Sequence, residues 1–279
     1  GSLNDGAGIY VCANKTTIRE NVVLDSVGNL DSSQWWYPLG HGIWCEFLSD
    51  FHDQIITGNT VIGCGGHGLF LTNNYKCIVS GNVFAGNRLG GLHLSGKKGP
   101  QGHTITDNIL IAENPSRRVT YPEQIPANWK GNDHVRCLDA EGGTDYGTMS
   151  GTLLIASPGV ALFDLDRNRK DEPQGWAAIG KWLDPAPKVQ RATALVMIND
   201  TNQAAEMPVP SGSWTLSKGG TATKTVAVEP FHSVVLVAAR DGANLPPYVL
   251  ASDVDEAKGA KDAKKAKSTK KPKPNTVSR

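Results

Sequence analysis

Four residues stand two places after a glycine in four related segments: Tyr10 after Gly8, Trp44 after Gly42, Phe70 after Gly68 and His93 after Gly91. Aromatic faces stack on the apolar faces of sugar rings, so a row of such side chains on one surface is the chemistry of saccharide binding. His41 and His67 each sit one place before a glycine of the same set and add imidazoles able to contact a sugar or orient a carboxylate. A plainer reading is that a loop covers the stripe, since large aromatics are seldom left on bare surface. The five cysteines (Cys12, Cys45, Cys64, Cys77 and Cys137) show no Cys-x-x-Cys spacing, which argues against a zinc site, and no metal ligand set is expected. Their odd number also speaks against a disulfide framework. Cys45 falls where Val11, Leu71 and Leu94 stand in the other segments and reads as a small buried apolar residue.

The elements that must position these side chains repeat. Gly8-Ile9-Tyr10-Val11, Gly42-Ile43-Trp44-Cys45, Gly68-Leu69-Phe70-Leu71 and Gly91-Leu92-His93-Leu94 each open a unit. A second signature follows in each, centred on Asn21, Asn59, Asn82 and Asn108. The glycines are 34, 26 and 23 residues apart and the asparagines 38, 23 and 26. Self-similarity at such a period marks a solenoid. Here each unit is a coil of short strands that buries its apolar face only by stacking on the next coil, at ~4.8 Å. The fold class is therefore all-β, a right-handed parallel β-helix over residues 4 to about 114. The four asparagines fall at one bend and are expected to form an internal ladder. Alternation sends Ile9, Ile43, Leu69, Leu92 and their i+2 partners inward. It sends Tyr10, Trp44, Phe70 and His93 outward, with Cys12, Glu46, Thr72 and Ser95 as the next outward column.

Between Gly28 and Gly40 the first unit inserts a polar loop bearing Trp35-Trp36-Tyr37, costly to expose, which reads as a plug or as a substrate platform. Residues 1–190 are assigned to β-helix coils and a capping region, with strand candidates at 151–155 and 160–163. Residues 191–245 carry strands at 8–12-residue spacing, expected as a small antiparallel β-sandwich. Residues 246–279 are read as a disordered lysine-rich tail. From residue 257 onward there are eight lysines and Arg279 against Asp262, about +8, so a formal total of +1 leaves the rest mildly acidic. Such a tail suits an acidic polymer or serves solubility. No run of 18 apolar residues predicts a membrane span. Gly1-Ser2 reads as a remnant of tag cleavage, and no signal segment opens the sequence. The compartment implied by this carbohydrate reading is extracellular or periplasmic.

With these motifs in place, Asn4-Asp5-Gly6-Ala7-Gly8-Ile9-Tyr10 and His41-Gly42-Ile43-Trp44-Cys45-Glu46 resemble the motif pair of β-helical glycoside hydrolases, in particular family 141, the fucosidase and xylanase type. The resemblance covers roughly residues 4–110. It implies Asp5 and Glu46 as the catalytic carboxylates of glycoside hydrolysis on a plant, algal or microbial polysaccharide. The second motif departs from the family in reading Cys-Glu-Phe-Leu-Ser-Asp. Retaining chemistry needs carboxyl groups about 5–5.5 Å apart and inverting chemistry about 6.5–9.5 Å. Counting along flat rungs puts Asp5 and Glu46 ~20 Å apart, so the turn bearing Asp5 must fold over, and Asp50 and Asp53 stay as further candidates. No cofactor is expected, with calcium required only by the alternative of a polysaccharide lyase. The third class is a non-catalytic glycan-binding or adhesin piece.

Overall fold

The computed structural model describes residues 6–28, 40–45, 50–96, 101–112, 133–139, 147–156, 183–184, 189–238 and 248–254. Five coils of three strands follow one another. They are β1 (Ala7–Val11), β2 (Thr17–Arg19) and β3 (Val22–Leu24); β4 (His41–Cys45), β5 (Ile55–Thr57) and β6 (Thr60–Ile62); β7 (His67–Thr72), β8 (Ile78–Ser80) and β9 (Val83–Ala85); β10 (Gly90–Gly96), β11 (His103–Thr106) and β12 (Ile109–Ala112); and β13 (Asp133–Asp139), β14 (Gly147–Ser150) and β15 (Leu153–Ala156). Corresponding strands pair in parallel, giving a first sheet β1-β4-β7-β10-β13 and two six-stranded sheets. The second and third sheets each gain a last strand, β16 (Leu183–Asp184) and β17 (Val189–Arg191). This is the right-handed parallel β-helix expected.

The interior follows the alternation. Ile9 and Val11 pack against buried Ile43, Cys45, Leu69, Leu71, Leu92 and Leu94 of the first sheet, with Ile18, Ile56, Val79, Ile105 and Met149 from the second and Val23, Val61, Phe84, Leu110 and Leu154 from the third. At the bend between the second and third sheets the asparagines stack in one column. Asn21 Nδ2 donates to Asn59 Oδ1, Asn59 Nδ2 to Asn82 Oδ1 and Asn82 Nδ2 to Asn108 Oδ1, each at 2.9 Å. Each of these oxygens also accepts the preceding asparagine's backbone N–H.

Two features refine the sequence expectation. Of late coils or a cap, the two readings open for the stretch after residue 114, coils are found: β13–β15 form a fifth, and Leu153 N–H donates to Asn108 O as a further rung. Thr152 holds the ladder position there, so the asparagine signature that marks the other coils is missing. The strand candidate at 151–155 is β15, while 160–163 lies outside the described residues.

The second difference is C-terminal. β18 (Thr193–Ile198), β19 (Ala205–Pro208), β20 (Thr215–Leu216), β21 (Thr225–Val228), β22 (Ser233–Ala238) and β23 (Tyr248–Leu250) form a four-stranded sheet, β20-β22-β18-β23, and a β19-β21 ribbon. β23 joins β18 in parallel, so the sheet is mixed rather than purely antiparallel. One face, with Ala194, Val196, Ile198, Val235 and Val237, packs on the outward Ile62, Val83, Ala85, Ile109, Ile111 and Ile155 of the β-helix. The other face closes a separate core around Met197, Met207, Trp214 and Leu236. Of residues 246–279, read from the sequence as a disordered tail, 248–254 form β23 and a short helical turn, and the stretch from residue 255 onward lies outside the described residues.

Candidate functional site

Parallel pairing without stagger sets the outward side chains of the first sheet in a file. Tyr10 pairs with Trp44, Trp44 with Phe70, Phe70 with His93 and His93 with Arg136. The rings touch along it: Tyr10–Trp44 at 4.9 Å, Trp44–Phe70 at 5.4 Å and Phe70–His93 at 4.2 Å between centroids. His41 and His67 join from the strand starts. His41 lies 4.4 Å from Phe70 and 5.4 Å from His67, and His67 lies 4.6 Å from His93. Six of the residues singled out in the sequence thus form one continuous ring cluster.

Its exposure is graded, which the sequence did not indicate. Trp44 and His93 are each 2% exposed, whereas Tyr10 is 43% exposed, so the accessible end of the file is the first coil. Phe70 is half-buried. A periodicity argument identifies the side of the sheet a residue takes but not what lies against that side, and here most of the wall is covered. Burial depresses the His41 imidazole to about 3, so it is neutral at ordinary pH. Its Nδ1 accepts the His67 backbone N–H at 2.9 Å, which places the ring proton on Nε2.

The remaining candidates are not drawn into the cluster by any described contact. Asp50 is exposed. Asp53 sits at the bend before β5 in a left-handed conformation (φ 59°) and its carboxylate meets His52 Nδ1 at 2.8 Å. Asp5, Glu46, Trp35 and Trp36 lie outside the described residues, as does the loop that carries the two tryptophans. Two polar residues went unremarked in the sequence: Arg136, whose backbone position in β13 pairs with that of His93, and His103. The latter is buried, depressed to about 4 by that burial, and accepts the Cys77 N–H at 3.2 Å. His103 opens β11 two residues before Ile105, a regularity of the second sheet that the Asn-centred signature does not report. The buried thiols are inert: desolvation pushes Cys64 and Cys77 up to about 12 and Cys45 higher still.

Residues 2–133 match the family described as periplasmic copper-binding protein (NosD), 132 of the chain's 279 residues. The match spans the first four coils and agrees with a parallel β-helix, without favouring the fucosidase and xylanase family in particular. It bears out the extracellular or periplasmic compartment expected, and no helix among the described residues is long and apolar enough to cross a membrane. It also overturns the expectation of no cofactor beyond a lyase's calcium, because the matched family is described as binding copper. The described residues do not themselves assemble such a site: among them no three His, Cys, Asp or Glu side chains are grouped to hold an ion. His41 and His67 stack with planes 12° apart, so their in-plane lone pairs run side by side instead of converging. No curated protein and no solved structure matches the chain.

Proposed function

We propose that this β-helix holds a polysaccharide against the outer face of its first sheet, entering at the Tyr10 end. The observation that supports the reading is the in-register file of rings, Tyr10, Trp44, Phe70 and His93, stacked at ~4.8 Å per rung with Tyr10 exposed and Phe70 half-buried along it. Tyr10 and Phe70 supply the reachable faces, with buried His41, His67 and His93 packed against Phe70 and buried Trp44 against Tyr10. Glycoside hydrolysis is the activity suggested for this surface, with Asp5 and Glu46 as acid and nucleophile or base. That part rests on the motif resemblance at residues 4–10 and 41–46. The test is binding of a panel of plant, algal and microbial polysaccharides, together with turnover on aryl glycosides and xylan. Tyr10→Ala is expected to weaken binding about tenfold, the order of one lost aromatic contact, and Glu46→Gln to abolish turnover while sparing binding. Unsaturated uronate products would mark a lyase instead. Binding with no turnover in the unsubstituted protein would mark a non-catalytic module, and no binding to any glycan would sink the reading.

Copper binding is the second reading, favoured by the description of the matched family. Equilibrium dialysis against Cu(I) and Cu(II), with metal counted per chain, decides it. Stoichiometric retention supports it and substoichiometric retention removes it.

A further inference from the structure

We propose that the cavity between the β-helix and the C-terminal sheet is a binding site for one neutral monosaccharide. It encloses about 280 Å³ and lies far along the coil from the ring file, at the bend between the second and third sheets. That bend repeats a left-handed residue in each coil: Glu20, Gly58, Gly81, Asp107 and Gly151, with φ of 54°, 66°, 63°, 55° and 61°. Side chains roof most of this column. A Cβ at Gly58 would meet Glu20 Cγ at 3.6 Å, and one at Gly151 would meet Asp107 Oδ1 at 2.1 Å. At Gly81 a Cβ would meet nothing within 4 Å, so the roof has a gap one residue wide, and the cavity is there.

The chemistry of the walls selects the ligand. Val83 and Ile109 from the β-helix and Leu216 and Val226 from the C-terminal strands give apolar surface on two sides. Asp107 brings an acceptor, Lys218 a donor, and the Thr60–Ser233 hydroxyl pair, 2.7 Å apart, closes the contact between the two layers. His232 Nδ1 is 2.7 Å from Pro230 O. A carbonyl only accepts, so Nδ1 carries a proton and donates it to Pro230 O. One carboxylate and one ammonium balance, which disfavours a net anion or cation and suits an uncharged ligand with both donors and acceptors. Apolar walls with polar groups between them match a pyranose, whose ring has apolar faces and a rim of hydroxyls.

The intact protein, labelled at valine and isoleucine methyls, is titrated with glucose, galactose, mannose and N-acetylglucosamine, with glucuronate and cyclohexanol as comparison ligands. Saturable shifts of the Val83, Ile109 and Val226 methyls are expected with at least one neutral sugar. Gly81→Asn is expected to abolish them without loss of melting temperature, because asparagine tolerates left-handed φ and its side chain fills the gap. Lys218→Met is expected to weaken the same shifts about tenfold and does not depend on the first variant folding. Tyr10→Ala should leave them unchanged, so failure of the first-sheet reading and failure of this one are told apart. The proposal is overturned if no neutral sugar gives a saturable shift, if Gly81→Asn folds and still binds, or if glucuronate or cyclohexanol binds more tightly than every neutral sugar.

Discussion

Each interior asparagine of the ladder uses its amide fully. Asn82 Oδ1 accepts two N–H groups from Asn59, and Asn82 Nδ2 donates forward to Asn108 and back to Ile56 O at 2.9 Å. Asn82→Ala strands donors and an acceptor that are wholly buried, at about 1–3 kcal/mol for each group left without water or partner. A urea melt is expected to show a loss of about 3 kcal/mol or more, and a loss under 1 kcal/mol would mean water replaces the amide. This column was legible in the sequence because stacking demands the same residue at the same bend, so chemistry and spacing coincide. The burial of His41 was not legible, since it depends on what lies against the sheet. It carries its own prediction. The unfolded chain takes up the proton near 6.5 and the folded chain only near 3, so the unfolded state holds more protons in between. Stability is full above pH 6.5 and falls as pH drops through that window, by up to about 1.4 kcal/mol per pH unit for each such histidine. His41→Gln should flatten the acid limb of a stability–pH curve, leaving the share due to His103, and an unchanged slope would count against this account.

Coil strands of two to seven residues are stable here only because each pairs with strands of the adjoining coils. That explains why the glycines opening the first-sheet strands resist change. A Cβ on Gly42 would stand 2.1 Å from Val61 Cγ1 and 2.6 Å from Gly68 O, a backbone atom that cannot step aside. Gly42→Ala is expected to cost about 3 kcal/mol, the upper range of overpacking, read as a lowered melting temperature, whereas Gly81→Asn, at an open bend, should cost little. In the third sheet Val83-Phe84-Ala85 and Ile109-Leu110-Ile111-Ala112 are unbroken apolar runs buried on both faces, while Val22 and Leu24 of the first coil are half-buried. The fifth coil was hidden for a local reason: Thr152 replaces asparagine, and 20 residues separate β12 from β13. The outward ring file followed from alternation, whereas Asp5 and Glu46, which resemblance alone nominated, fall outside the described residues.

At the scale of the molecule, the C-terminal sheet covers an apolar outward face of the β-helix. Val196 is 1% exposed in that contact. Val196→Asp buries a lone charge and is expected to destabilise by about 3–5 kcal/mol, with increased binding of a hydrophobic dye before the main melt as the sheet lifts away. Native-like melting with no dye signal would show that the contact is incidental. The same sheet touches coils far apart in the stack: Tyr248 hydroxyl reaches Asp25 in the first at 3.1 Å, Ser233 reaches Thr60 in the second, and Ile155 of the fifth shares its core. A bare solenoid can fray one turn at a time from either end, because each turn answers only to its neighbours. A splint held against every turn from the first to the fifth removes that freedom. Backbone amides in the intervening turns should therefore exchange with deuterium at one common opening energy, losing protection together or not at all.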